Sequence, residues 1–255
     1  MSGPAHLIGM TAAAAVLSYA PAIASVDFDP SSQAAAQAYA HYTSGNAEAA
    51  VTSSLRAVEE DPSNLDYRLL LADSLTLAGR PSEALEVLVP LRDERDYRIQ
   101  TRLAQAAWDS DEPELAAQAF LSAADLAEGP ESRAYLSRAA VLSLLQANRR
   151  EEAARVFDHA WAGQFLQGYD SLDTANVALA VGRDAQALWA FEDAQRYAAL
   201  PGRAALDAGY AAQRLGLEDW ATSYFSRALA DWPADVGSEQ RAQIQAFVQQ
   251  QTYGS

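Results

Sequence analysis

The sequence predicts an all-α fold, a solenoid built from helix hairpins, and three observations predict it. The first is a fixed interval. Phe157, Phe191 and Phe225 lie 34 residues apart, as do Ala153, Ala187 and Ala221, and Ala160, Ala194 and Ala228. Upstream, Gly45 and Gly79, Ala38 and Ala72, and Ala50 and Ala84 keep the same spacing. A period of this length is that of a helix–turn–helix repeat whose units bury their faces by stacking. The second is apolar residues at three- and four-residue steps, such as Leu69, Ala72 and Leu75, then Leu85, Leu88 and Leu91. No stretch alternates β-branched residues with a period of two, so strands are not expected. The third is regular punctuation.

Short turns carry Gly or Asn, at Ser44-Gly45-Asn46, Ala78-Gly79-Arg80, Ala147-Asn148-Arg149, Val181-Gly182-Arg183 and Leu215-Gly216-Leu217. Both residue types tolerate left-handed backbone, which lets one helix end and the next begin at once. Between hairpins stand Asp61-Pro62, Gly129-Pro130, Pro201-Gly202 and Trp232-Pro233, where proline stops one helix and sets up the next. Six units fit, at 31–64, 65–96, 97–130, 134–167, 168–201 and 202–235. In the third, Ser110-Asp111-Glu112-Pro113 replaces the glycine turn, and the spacing to the fourth is 37. A local irregularity is expected there, beside Arg98, Trp108 and Arg138. In the first, Ser54 stands where later units place a bulky residue. A last amphipathic helix, 238–251, has Ile244, Phe247 and Val248 on one face and suits a solvating cap.

These positions resemble tetratricopeptide repeats. The small first-helix slot holds Ala38, Ala72, Ala104 and Gly209. The small second-helix slot holds Ala50, Ala84, Ala116, Ala153, Ala187 and Ala221. The bulky slot holds Leu88, Phe120, Phe157, Phe191 and Phe225, and the next small slot Ala57, Ala123, Ala160, Ala194 and Ala228. Small residues let helices cross closely, and the ring plugs the gap. The resemblance covers 31–251 and implies a right-handed α-solenoid of about six helix pairs plus a capping helix. The 34-residue spacing argues against longer helical repeats of the Sel1-like kind.

Ahead of the repeats, Leu7 to Ala24 is uncharged and Ala-rich and ends Ala22-Ile23-Ala24 before Ser25. It resembles a secretory signal peptide, 1–24, cleaved after Ala24, although no Lys or Arg precedes the apolar run. A polar lead, 25–30, follows. Export to the periplasm or envelope is the expectation, with a cytoplasmic chain and an uncleaved helix as the alternative. No other run is long enough to span a bilayer.

Composition narrows the function. The formal charge is −16, which disfavours nucleic acid and anionic membrane as partners. There is no cysteine and no lysine, so thiolate chemistry and a lysine-bearing phosphate loop are both out. His6, His41 and His159 are scattered and mark no metal site. The acidic runs Glu59-Glu60-Asp61 and Asp109-Ser110-Asp111-Glu112 fall at helix ends, where they act as solvated charge. No catalytic residue, cofactor or metal is assigned. The five tryptophans fall where packing uses them, with Trp108 as the exception.

The resemblance implies a concave groove lined by first helices that holds a protein or extended peptide segment. Its inward slots map to Tyr39 and Tyr42, Asp73, Arg98, Gln105 and Trp108, Tyr135 and Arg138, Tyr169 and Asn176, and Arg203, Tyr210, Gln213 and Arg214. Tyr, Trp and Arg are common interface anchors. An Arg/Tyr-lined patch for an extended peptide, an acidic segment or a polysaccharide is the expectation, weakened by replacing Tyr135 and Arg138 with Ala. The lysine clamp of co-chaperone arrays is missing. The stretch from Asp207 to Gly216, with Tyr224-Phe225, is also similar to repeats of bacterial envelope proteins that serve polysaccharide export or phage adsorption. The expected function is a non-catalytic envelope scaffold. The alternatives are an accessory of envelope polysaccharide assembly or export, and an enzyme with a cryptic carboxylate site.

Overall fold

The computed structural model describes residues 32–168 and 170–253. The signal segment, the polar lead and Tyr169 lie outside the described residues. Among the described residues there are thirteen α-helices, one 3-10 turn and no strand. The fold is an α-solenoid of helix hairpins. The chain divides into two compact bodies between Val156 and Phe157.

The first body holds α1 (Gln33–Thr43), α2 (Ala47–Glu60), α3 (Leu65–Leu77), α4 (Pro81–Leu88), α5 (Tyr97–Asp109), α6 (Pro113–Leu126), α7 (Pro130–Gln146) and the start of α8 (Arg150–Ala162). Ser32, Asn64 and Asp96 cap α1, α3 and α5 by accepting the N–H of Ala35, Tyr67 and Arg98. Helices from α1 to α7 each pack on the next, and the first helices α1, α3 and α5 also touch in series. The second body continues with α9 (Ser171–Ala180), α10 (Asp184–Gln195), α11 (Gly202–Arg214), α12 (Glu218–Ala230) and α13 (Ser238–Tyr253).

One turn closes all six hairpins. Gly45, Gly79, Asn148, Gly182 and Gly216 have φ of 74°, 70°, 59°, 77° and 72°. In each case the next residue's N–H reaches back to a carbonyl five residues earlier, as Arg80 does to Leu75 and Leu217 to Ala212. This satisfies carbonyls that the helix end leaves open. The third unit uses the same turn: Asp111 has φ 59°, and Glu112 N–H bonds Ala107 O at 2.9 Å. Pro113 therefore does not break it. It occupies the first position of α6, where a missing N–H costs nothing. The 37-residue spacing is absorbed in α7 instead, which runs 17 residues where α5 runs 13.

The core is assembled as the repeat demands. Ala50, Ala84, Ala116, Ala153, Ala187 and Ala221 are all 0% exposed, and so are Phe157, Phe191 and Phe225. A Cβ on Gly209 would lie 2.4 Å from the Phe225 ring, so only glycine admits the ring there.

Candidate partner-binding face

In the first body, two consecutive first helices bring Tyr39, Tyr42 and Asp73 together, beside Arg102 of the third. Helix α1 supplies Tyr39, 41% exposed, and the half-buried Tyr42. Helix α3 supplies Asp73, and α5 supplies Arg98, Gln105 and Trp108. Burial raises the Tyr42 hydroxyl pKa, and the charge of Asp73 raises it further against the pull of Arg102. Tyr39, Tyr42, Asp73 and Arg102 thus form one electrostatic cluster.

Asp73 is not free for a partner. Arg102 Nε and Nη2 donate to its two carboxylate oxygens at 2.8 and 2.9 Å, with the two side chains 10% and 8% exposed. Burial pushes the Asp73 carboxyl up, and Arg102 opposes that shift. Arg98 donates to Asp96 and Asp66, both at 2.9 Å, and its hydrogen bond holds the Asp96 carboxyl below the usual range. Gln105 Nε2 donates to Asp109 at 2.9 Å, and Trp108 is half-buried on the next turn.

On α7, Tyr135 and Arg138 are 6% and 1% exposed. Burial lifts the Tyr135 hydroxyl to about 12, Arg138 opposes, and Asp109 and Tyr97 add to the rise. Both side chains are interior in this structure. Replacing them with Ala would disturb packing before it tested a partner.

The second body places Asn176 half-buried on α9. On α11, Arg203 bridges Asp207 and Asp235 at 3.2 and 2.7 Å. Burial raises the Asp207 carboxyl against the pull of Arg203. Arg214 grips Asp184 through two hydrogen bonds of 2.8 and 2.7 Å. Tyr210 accepts from Gln240 Nε2 at 2.6 Å and sets its edge against Phe225 at 5.2 Å, while Gln213 is exposed.

Arg98, Arg203 and Arg214, expected to receive an acidic segment, are each bonded to the chain's own aspartates. Sequence reasoning missed Arg102 and the acids Asp66, Asp184 and Asp235. A signal was present: Arg98–Asp66, Arg102–Asp73, Arg203–Asp235 and Arg214–Asp184 are each separated by 29 to 32 residues, slightly less than one repeat. These pairs tie successive hairpins. The exposed ones contribute about 0–1 kcal/mol each. Among the described residues no group of three or more His, Asp or Glu could hold a metal ion, and no helix is long and apolar enough to cross a membrane.

Helix hairpins with a common left-handed turn and a recurring aromatic plug define a helical-repeat scaffold, an architecture that exposes extended binding surfaces. No protein-family model matches the chain, and no curated protein matches its sequence. Solved structures do. One of PilF from Pseudomonas aeruginosa is 22% identical, with a TM-score of 0.54, over 82% of this chain and 93% of that one. A tetratricopeptide repeat protein from Parabacteroides merdae is 13% identical, with a TM-score of 0.37, over 85% and 97%. A MamA structure is 20% identical, with a TM-score of 0.40, over 82% and 92%. The likeness to the PilF structure is one of fold, an α-solenoid of helix hairpins.

Proposed function

We propose that the chain is a non-catalytic scaffold of the bacterial envelope that binds an extended segment of a protein partner along its first-helix face. The observation that carries this reading is the convergence of α1, α3 and α5 on one face. There Tyr39 stays exposed in a cluster fixed by the Asp73–Arg102 pair, and α5, which carries Arg102, also carries the half-exposed Trp108. Fixed aromatics bind with little loss of conformational freedom, which favours them as anchors. Because Arg98 is already paired, aromatic and amide contacts recognise the segment, rather than a free guanidinium group. The envelope part of the reading rests on the signal-like sequence from Leu7 to Ala24.

The test is a crosslinking pull-down from the envelope fraction with the native chain and with Tyr39→Ala and Trp108→Ala. A partner recovered by the native chain and lost with either variant supports the reading; unchanged recovery overturns the first-helix face. N-terminal sequencing is expected to begin at Ser25, and an intact Met1 sinks the cleaved signal. Binding to a glycan array that depends on the same aromatics would put envelope polysaccharide in the partner's place.

A further inference from the structure

A second surface lies on the opposite members of the hairpins, within the second body. Trp189 on α10 and Trp220 on α12 are 40% and 46% exposed, contrary to the expectation that these tryptophans serve packing. Hydrogen bonds link the helices that carry them. The Tyr224 hydroxyl on α12 donates to Glu192 on α10 and accepts from Gln195 Nε2 at 3.1 Å. Trp189 stands three residues before Glu192 and Trp220 four before Tyr224, each one helical turn from that link. Trp161 on α8 stands edge to face with Trp189 at 5.3 Å, and Trp220 lies 6.4 Å from the Tyr224 ring.

The second body carries a net negative charge, although Arg227 lies beside Tyr224. Residues 157–253 carry twelve Asp and Glu against six Arg. Each arginine is engaged: Arg183 by Asp158, Arg196 by Asp193, Arg203 by Asp207 and Asp235, Arg214 by Asp184, Arg227 by Gln195, and Arg241 over the Trp232 ring at 5.9 Å. Glu218 and Asp219, beside Trp220, are exposed and form no ion pair among the described residues. Exposed indole faces flanked by unpaired carboxylates attract cations.

We propose that the Trp161–Trp189–Trp220 row is a docking surface for a cationic, apolar peptide segment of a partner protein. The arginine or lysine side chains lie over the Trp189 and Trp220 rings, and Glu192, Glu218 and Asp219 hold the flanking charge. This surface is independent of the first-helix face, so either can fail alone. The probe is a fluorescein-labelled nonapeptide of arginine and leucine, with a counterpart carrying glutamate for arginine, read by anisotropy on the full chain. Trp189→Ala and Trp220→Ala are each expected to weaken binding of the arginine peptide about tenfold or more, the loss of about 1.4 kcal/mol of contact. Glu218→Gln with Asp219→Asn is expected to weaken it less and to flatten its salt dependence. Tyr39→Ala and Trp108→Ala leave it unchanged. Circular dichroism confirms folding, and Trp220→Phe, which keeps a ring, retains most of the affinity. Equal binding of the glutamate peptide, binding indifferent to both tryptophan changes, or equal binding of a neutral oligosaccharide in competition overturns the proposal.

Discussion

The first and sixth hairpins fill one repeat position in opposite ways. In the sixth, Phe225 is fully buried against Gly209, with Tyr210 and Phe247 edge-on at 5.2 and 5.5 Å. In the first, the same slot holds Ser54, also 0% exposed, whose hydroxyl meets that of Ser74 at 3.1 Å while Ser74 donates to Leu70 O at 2.7 Å. One hairpin is held by ring burial and the other by a small polar contact, with the same left-handed turn in each. The repeat thus specifies where helices cross more strictly than it specifies what fills the crossing. The largest test of this comparison is Phe225→Ala, expected to cost about 3–5 kcal/mol in chemical denaturation, as removal of a core ring does. A loss below about 1 kcal/mol would mean that the cap, α13, is not anchored by this ring.

A different kind of tie holds the first body together, and Arg102→Met probes it. With both partners nearly buried, removing the guanidinium leaves the Asp73 carboxyl with only burial acting on it, at a cost of about 3 kcal/mol at neutral pH. The sign follows from the raised pKa. A carboxyl that is harder to ionise when folded contributes fully below its unfolded value, and stability declines as pH rises through the folded value. The deficit of the variant should therefore grow from acid towards neutral pH in melts taken across that range. A deficit independent of pH would assign the loss to packing alone.

The Ser54 slot offers a smaller and sharper test. If it were merely an unfilled ring position, Ser54→Phe would stabilise the hairpin. With Ser74 and Leu70 closing the space, the ring is expected to overpack it and cost about 1–3 kcal/mol. A stabilised variant would show that the first hairpin is a degraded copy of the sixth.

The fold was legible because its rules are local and repeated. Ala at crossings, Phe in the plug and Gly in the turn each reflect a steric requirement that recurs every 34 residues. The third unit shows the limit of reading residue types in place of conformations. Ser110-Asp111-Glu112-Pro113 contains no glycine, yet its Asp111 adopts the same backbone as Gly79. The candidate face was legible only in part. Helical register brought Tyr39, Tyr42 and Asp73 to one side, but it carries no information on which arginine meets which aspartate, because those contacts join different hairpins. Tyr135 and Arg138 are buried on α7, which the slot positions alone do not disclose. The exposed Trp189 and Trp220 escaped notice because they fall outside the repeat's own slots.

The turn itself supplies the smallest effect. Asp111 at φ 59° accepts a conformation that an L-residue enters at a cost and glycine enters freely. Asp111→Gly removes that cost, but it also gives up the exposed hydrogen bond from Gln146 Nε2 at 2.7 Å and makes the unfolded chain more flexible. The balance is expected to be a gain of about 0.5 kcal/mol, a rise in Tm of about 1–2 °C for a chain of this size. Gly79→Ala is the mirror experiment. Open space surrounds its Cβ position, so the loss of about 1 kcal/mol expected there comes from the backbone alone. Opposite signs for the two variants would establish that all six hairpins share one conformational requirement. A clear loss on Asp111→Gly would instead make the Gln146 contact the reason this hairpin forgoes glycine.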